Sequence, residues 1–116
     1  MPGTSAPRRF TLDEANALLP EIRRVTEQAL GECEPVVSRM ESLDPSDPEY
    51  LRLGTALSAI VEGWTTDVRG FGVEVKGLWL VDFDNGEGYY CWQHPEPSVS
   101  HFHGYEDGFA GRMKIV

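Results

Sequence analysis

The sequence predicts an α+β protein in which a long antiparallel α-helical hairpin is followed by a small three-stranded antiparallel β-meander. Apolar residues recur at steps of three and four before Gly72, which is the period of a helix, and at steps of two after it, which is the period of a strand. With 116 residues, the chain can bury one hydrophobic core but not two. We therefore expect a single domain over residues 1–116, with the helical hairpin in 11–72 and the small sheet and C-terminal tail in 73–116.

The N-terminal segment and the charge balance limit the classes of partner. Residues 1–10 are rich in Pro, Gly and Ser and lack the apolar stretch of a secretory signal, so we expect a disordered leader. The net charge of −9, from 19 acidic and 10 basic residues, disfavours nucleic acids and anionic membranes, because both require clustered cations. The sequence contains no apolar run long enough for a membrane span. Two cysteines without a secretory signal favour a reduced, cytoplasmic protein.

The first helix is expected to begin after Thr11, which can form a capping box with Glu14 three residues later. Pro20 and Pro35 each remove one backbone hydrogen bond, so we expect a bend near each and a separate first turn or two before Pro20. Cys33 lies on the apolar stripe of this helix, and core packing is its expected role. The stripe comprises Ala15, Leu18, Ile22, Val25, Ala29, Cys33, Val36, Met40 and Leu43.

The second helix is expected to begin after Asp47, an N-cap residue that is followed by proline at the first helical position, and to end near Gly70. Its stripe comprises Tyr50, Leu53, Leu57, Ile60, Trp64, Val68 and Phe71. Two helices joined by so short a loop pack antiparallel and bury only one seam. Apolar flanks such as Leu19, Val37 and Val61 then need cover from the sheet or from a second copy, so we expect a homodimer.

Three short strands are expected after the hairpin, at residues 78–83, 89–93 and 98–103. Asn85-Gly86 lies between the first two and is a strong hairpin signal, and strands that follow one another so closely favour antiparallel pairing. The more aromatic face of this sheet is expected to pack on the helices. That face comprises Trp79, Val81, Phe83, Tyr90, Trp92, Ser100 and Phe102.

The opposite face of the sheet is expected to gather the side chains with the most chemistry. Because side chains alternate across a strand, simple register in both hairpins brings four of them together. They are Asp82, Cys91, His101 and His103. Thiolate, imidazole and carboxylate are ligands of zinc and of other first-row transition metals. Ordinary structural roles are also open, with Cys91 as a small buried hydrophobe and Asp82 as a residue that stabilises the following turn.

Several stretches of the chain resemble an uncharacterised bacterial family catalogued as domain of unknown function 2203. They are FTLDEANALLP, GVEVKG, LVDF, CWQHPEP and HFHGYEDGFAGR, and the likeness extends from Phe10 to about Lys114. The resemblance implies a long α-hairpin with a small β appendage, which agrees with the interpretation of the periodicities.

The same resemblance narrows the candidate site, because His94 and His101 lie outside the family pattern. The implied metal-ligand candidates are Cys91, His103, Asp82 and Glu106, with His101 and Asp107 as alternatives. The ligand-binding candidates are Arg112, Glu96 and Trp92. In the final GFAGR, the glycines allow close approach of the backbone, and the Arg112 guanidinium could bind a carboxylate or phosphate. Alternatively, Arg112 locks the tail by pairing with Glu96 or Asp107.

Three classes of function remain open. The first is binding of zinc, iron or manganese, or of a small anionic ligand, by the cluster on the C-terminal sheet. The second is a homodimeric helical hairpin that acts as a structural or protein-interaction module. The third is a small metal- or thiol-dependent hydrolase or redox enzyme, with His103 as general base or Cys91 as nucleophile. Proximity of these two side chains would favour the third class, and burial of Cys91 against Trp64 or Phe71 would disfavour it.

Overall fold

A computed structural model describes residues 8–115 and confirms the α+β fold, with a helical hairpin followed by an antiparallel sheet. The elements are α1 (Leu12–Glu41), α2 (Pro48–Arg69), β1 (Glu74–Gly77), β2 (Leu80–Asp84), β3 (Tyr89–Gln93), β4 (His101–His103), a short 3-10 helix (Phe109–Gly111) and β5 (Met113–Lys114). The strands form a single sheet in the order β1-β2-β3-β4-β5, and every neighbouring pair is antiparallel. Within the described residues, no helix has the length and apolar character needed to cross a membrane.

The N-terminus of α1 has the expected capping box. The Thr11 side chain accepts a hydrogen bond from the Glu14 backbone N–H, and the Glu14 carboxylate accepts one from the Thr11 N–H. The expected separate first turn before Pro20 is wrong, because α1 is one helix of 30 residues that contains both prolines. Leu19 and Ile22, on either side of Pro20, are both buried. Their packing offsets the hydrogen bond that the proline removes.

The buried face of α1 differs slightly from the expected stripe. It comprises Ala15, Leu19, Ile22, Thr26, Ala29 and Cys33. Thr26 is buried despite its hydroxyl, because that hydroxyl donates to the Ile22 carbonyl at 2.7 Å and accepts from the Trp64 indole at 2.8 Å. On α2, only Trp64 and Val68 are buried. No residue in 34–63, all of which the structure describes, is buried, so the far half of the hairpin has little cover.

The sheet has five strands, so the expectation of three was too low. The two additional strands are β1 and β5, and β1 carries a bulge at Lys76, between the pairs Val75–Val81 and Gly77–Leu80. The second strand begins at Leu80, not at residue 78, because Leu78 and Trp79 form the turn that joins β1 to β2.

Two further boundaries differ from the expectation for physical reasons. The fourth strand begins at His101, not at residue 98, because both backbone groups of Val99 are bonded to the Asn16 side chain. The expected disordered leader extended to residue 10, but Phe10 is buried, and its N–H donates to the Asp84 carbonyl at 2.8 Å. Residues 1–7 of that leader lie outside the described residues.

The two faces of the sheet divide as the alternation predicts. Val81, Phe83 and Trp92 lie in the hydrophobic core that the sheet shares with α1 and α2. The other face is covered by the C-terminal tail, residues 104–115: the Tyr105 ring packs edge-on against Tyr89, at 5.1 Å between centroids. This tail converts the outer face into a second buried layer.

Candidate functional site

The strand register brings the predicted side chains onto the outer face. Asp82 on β2 is directly opposite Cys91 on β3, and Cys91 is directly opposite His101 on β4. His103 lies two residues further along β4, opposite Tyr89. The prediction that Asp82, Cys91, His101 and His103 share one face is therefore confirmed.

Three of these four side chains form a buried cluster. Their potential ligand atoms, one each from Asp82, Cys91 and His103, all lie within 4.8 Å of one another. The exposed fractions are 1% for Asp82, 0% for Cys91 and 3% for His103. Charged groups are rarely buried to this extent without a partner, so their environment needs an explanation.

Asp82 and His103 are joined by a hydrogen bond inside the cluster. The His103 Nε2 and Asp82 Oδ2 atoms are 2.9 Å apart, and His103 Nδ1 lies 2.8 Å from the carbonyl oxygen of Gly104. A carbonyl oxygen can only accept, so Nδ1 carries a proton and donates it to Gly104. A second proton must then lie between Nε2 and Oδ2, since two facing lone pairs at this distance would repel.

The carboxylate and the thiol are both held in unusual electrostatic states. Burial raises the pKa of Asp82 above its ordinary value, although the neighbouring His103 acts in the opposite direction. Among the described residues, Asp82 Oδ1 has no hydrogen-bond partner. Burial, followed by the negative charge of Asp82, raises the pKa of Cys91 to about 12. A thiol with that pKa is protonated at neutral pH, which does not fit an activated nucleophile.

The donor set fits a transition metal. A divalent cation could replace the proton between His103 Nε2 and Asp82 Oδ2. The Cys91 sulfur would then be a third ligand. The hydrogen bond from Nδ1 to a backbone carbonyl is the arrangement that orients metal-binding histidines. Tetrahedral zinc sites place ligand atoms about 3.3–3.8 Å apart, so small side-chain movements would close the cluster on a metal.

Arg112 and Glu96 are paired with each other beside this cluster. The Arg112 guanidinium donates to both oxygens of the Glu96 carboxylate and lies 3.9 Å from the Cys91 sulfur. Burial alone would raise the pKa of Glu96, but the bonds from Arg112 and the Gln93 N–H hold it below its ordinary value. His101 lies near the same carboxylate, with Nδ1 3.7 Å from Glu96 Oε2. Arg112 thus pairs with Glu96, which is the contact that the second interpretation of this residue expected.

The remaining predicted residues lie apart from the cluster. Glu106 is exposed, and Asp107 is exposed with its Oδ2 accepting a hydrogen bond from the Gly104 N–H at 3.0 Å. Trp92 faces the helices, and its indole N–H donates to the Glu96 carbonyl at 2.7 Å. His94 is half-buried, with Nε2 3.3 Å from a Glu27 carboxylate oxygen.

Sequence reasoning missed residues that line a cavity of about 210 Å³ next to Asp82 and His103. The missed residues are Lys76, Leu80, Tyr105 and Phe109. Val73 and Val75 alternate with the charged residues Glu74 and Lys76. This alternation indicates a strand with Lys76 on the outer face. No comparable signal predicts that the tail folds back over the sheet.

The fold and the cluster define a class of protein: a helical hairpin whose appended sheet buries an Asp-Cys-His cluster beneath its own C-terminal tail. The model of the family described as "Uncharacterized conserved protein (DUF2203)" matches residues 8–115. The chain belongs to this DUF2203 family, as its sequence motifs indicated. No curated protein and no solved structure matches the chain.

Proposed function

We propose that this protein binds one divalent transition metal ion, zinc, iron or manganese, through Asp82, Cys91 and His103. The single observation that carries the proposal is the convergence of a carboxylate, a thiol and an imidazole within 4.8 Å at a buried position. Asp82 Oδ1 supports it, because among the described residues this buried oxygen has no N–H or O–H donor, and the thiol of the neighbouring Cys91 is only a weak donor. Glu106, Asp107 and His101 are not needed as ligands.

The chemistry of the three donors favours zinc or iron over manganese. A cysteine sulfur is a soft ligand, and manganese prefers oxygen donors. Three protein ligands also leave a coordination position open, which is the arrangement of sites that bind or activate a further molecule. A closed structural zinc site would need a fourth side chain, and Arg112 beside Cys91 cannot supply one.

Metal content tests the proposal directly. Protein purified without a histidine tag would be analysed by plasma mass spectrometry, as wild type and as the variants Cys91→Ser and His103→Gln. The matched controls are Cys33→Ser, a buried cysteine outside the cluster, and His94→Gln, a histidine outside it. We expect near-stoichiometric metal in wild type and both controls, and loss of metal in the two cluster variants. Absence of metal from wild type, even after incubation with each cation, would overturn the proposal.

A reducing, cytoplasmic compartment is consistent with this role. No disulfide is present in the described residues, which include both cysteines, and the Cys91 thiol must remain reduced to bind a metal. We expect oxidation of Cys91 to abolish metal binding, which metal analysis after peroxide treatment would reveal.

A second proposal is that the helical hairpin forms a homodimer. A groove of about 680 Å³ lies along the hairpin beside the β1–β2 turn, where Leu78 is 56% exposed. Its apolar lining includes Leu30, Cys33, Val37, Leu57, Val61 and Trp79. We favour a second copy of the chain as the molecule that fills the groove, because the exposed Leu78 lies next to it. In a two-fold symmetric dimer, Leu78 of each protomer could pack into the groove of its partner.

Sedimentation velocity tests the dimer. Val61→Glu should convert a dimer to a monomer at micromolar concentration, because it would bury an unpaired charge. Leu51→Glu is the matched control, since Leu51 is 66% exposed and lies outside the groove. Glu27 and Glu34 line the groove, so dimerisation should strengthen with added salt. A wild-type monomer at these concentrations would overturn this proposal.

A further inference from the structure

The cavity beside the cluster is smaller than a typical pocket for a drug-sized molecule and suits only a compact ligand. Its volume of about 210 Å³ corresponds to about seven water molecules at the volume water occupies in the liquid. Buried Asp82 and His103 form one wall, and Leu80, Tyr105 and Phe109 contribute a largely apolar wall. A ligand with one polar end and a short hydrocarbon body would match this division.

Lys76 supplies a cation to the same cavity. As the extra residue of the β1 bulge, it departs from the regular pairing of β1 with β2, and bulges commonly re-aim a side chain next to a functional site. Its amine lies 4.4 Å from the centre of the Tyr89 ring on β3, so the side chain reaches across β2 above the outer face. Glu74 holds one side of the amine, with Oε1 at 3.2 Å.

The charged groups that line the cavity favour an anion once a metal is bound. A divalent metal with the Asp82 carboxylate and a Cys91 thiolate as ligands would be neutral. Lys76 is then the cation that lines the cavity, while its partner Glu74 lies outside the lining. Among the described residues that line the cavity, Asp82 is the only acid. A monoanion could contact both the metal and the side of the Lys76 amine that faces the cavity.

We propose that the cavity binds a short monocarboxylate, whose carboxylate group occupies the open coordination position of the metal and pairs with Lys76. Its hydrocarbon tail packs on Leu80 and Phe109. The inference rests on the proposed metal site and names the ligand class of that site.

Cobalt substitution tests the inference with a readout that does not depend on activity. The full chain would be loaded with Co²⁺, its stoichiometry measured, and its visible absorption followed during titration with butyrate. Butylamine, with the same tail and the opposite charge, is the ligand control. We expect a saturable spectral change with butyrate and none with butylamine. Inorganic phosphate distinguishes a carboxylate site from a general anion site, and tighter binding of phosphate than of butyrate would overturn the assignment to monocarboxylates.

Two substitutions locate the ligand in the cavity. Lys76→Gln should weaken butyrate binding about three- to fivefold, the range expected for a partly exposed ion pair, without changing cobalt stoichiometry. Lys114→Gln on β5 is the matched control, since Lys114 does not line the cavity, and it should bind as wild type does. If butyrate does not change the spectrum of bound cobalt, or if wild type and Lys76→Gln bind butyrate with equal affinity, the inference is overturned but the metal site is not. Failure to bind cobalt at all would overturn both the inference and the metal site.

Discussion

The Trp64 indole on α2 donates a 2.8 Å hydrogen bond to the hydroxyl of Thr26 on α1, and both residues are buried. The same hydroxyl donates its own hydrogen to the Ile22 carbonyl. This polar link holds the two helices in register at the end of the hairpin nearest the sheet, because Trp64 also packs edge-on against Trp79 of the β1–β2 turn. The Thr26 hydroxyl thus holds the indole that packs on the turn between β1 and β2.

Replacement of Thr26 by valine should therefore destabilise the protein. Valine has nearly the same shape but leaves the buried Trp64 N–H without an acceptor, which costs about 1–3 kcal/mol of unfolding free energy. Thr26→Ser keeps the hydroxyl and should lose less. Urea unfolding of the three proteins, followed by tryptophan fluorescence, measures the difference. Equal stability of the valine variant and wild type would show that the indole finds another partner.

The pairing of Asp82 with His103 predicts an order of stabilities in the metal-free protein. Asp82→Ala leaves His103 Nε2 buried without a partner and should cost about 1–3 kcal/mol. Asp82→Asn should cost less, because the side-chain amide can donate to Nε2 in its unprotonated form. Unfolding in the presence of a chelator separates this effect from metal binding. A less stable asparagine variant than alanine variant would contradict the hydrogen bond between Asp82 and His103.

The Glu96–Arg112 pair predicts a pH dependence of stability. The pKa of Glu96 is lower in the folded protein than in the unfolded chain, so the folded state favours the ionised carboxylate. Its contribution is complete above the unfolded pKa of about 4.3 and is lost as the pH falls through the lower folded value. The difference in unfolding free energy between wild type and Glu96→Gln should therefore shrink as the pH is lowered from about 6 to about 3.5. A difference that stays constant over this range would exclude a pH-sensitive pair.

The parts of the fold that the sequence predicts are those encoded locally. The capping box of Thr11 with Glu14 and the N-cap at Asp47 depend on neighbours within three residues, and both form as expected. By contrast, β1 was missed because only four residues form it, so its alternation is brief, and the two-residue β5 is too short to show a period. These two strands form because each pairs with a neighbouring strand of the sheet, not because of a local sequence pattern.

The candidate site divides in the same way. Strand parity alone places Asp82, Cys91 and His103 on one face, because it requires only that side chains alternate. Parity does not determine whether His101 or His103 contacts Asp82. That depends on how β4 is positioned relative to β2, and β3 lies between these two strands. The path of the tail determines that Arg112 meets Glu96, and no local pattern encodes that path.

Phe10, which precedes α1, belongs to the hydrophobic core. Its ring packs edge-on against Phe83, at 5.3 Å between centroids, and only 3% of the residue is exposed. Phe10→Ala should destabilise the protein by about 3–5 kcal/mol, because it removes a large buried side chain and leaves a cavity. Phe10→Leu should cost considerably less, since it retains most of the buried volume. Urea unfolding measures both, with Arg9→Ala, at an exposed neighbouring position, as the control. If Phe10→Ala unfolds at the same urea concentration as wild type, Phe10 does not belong to the cooperative core.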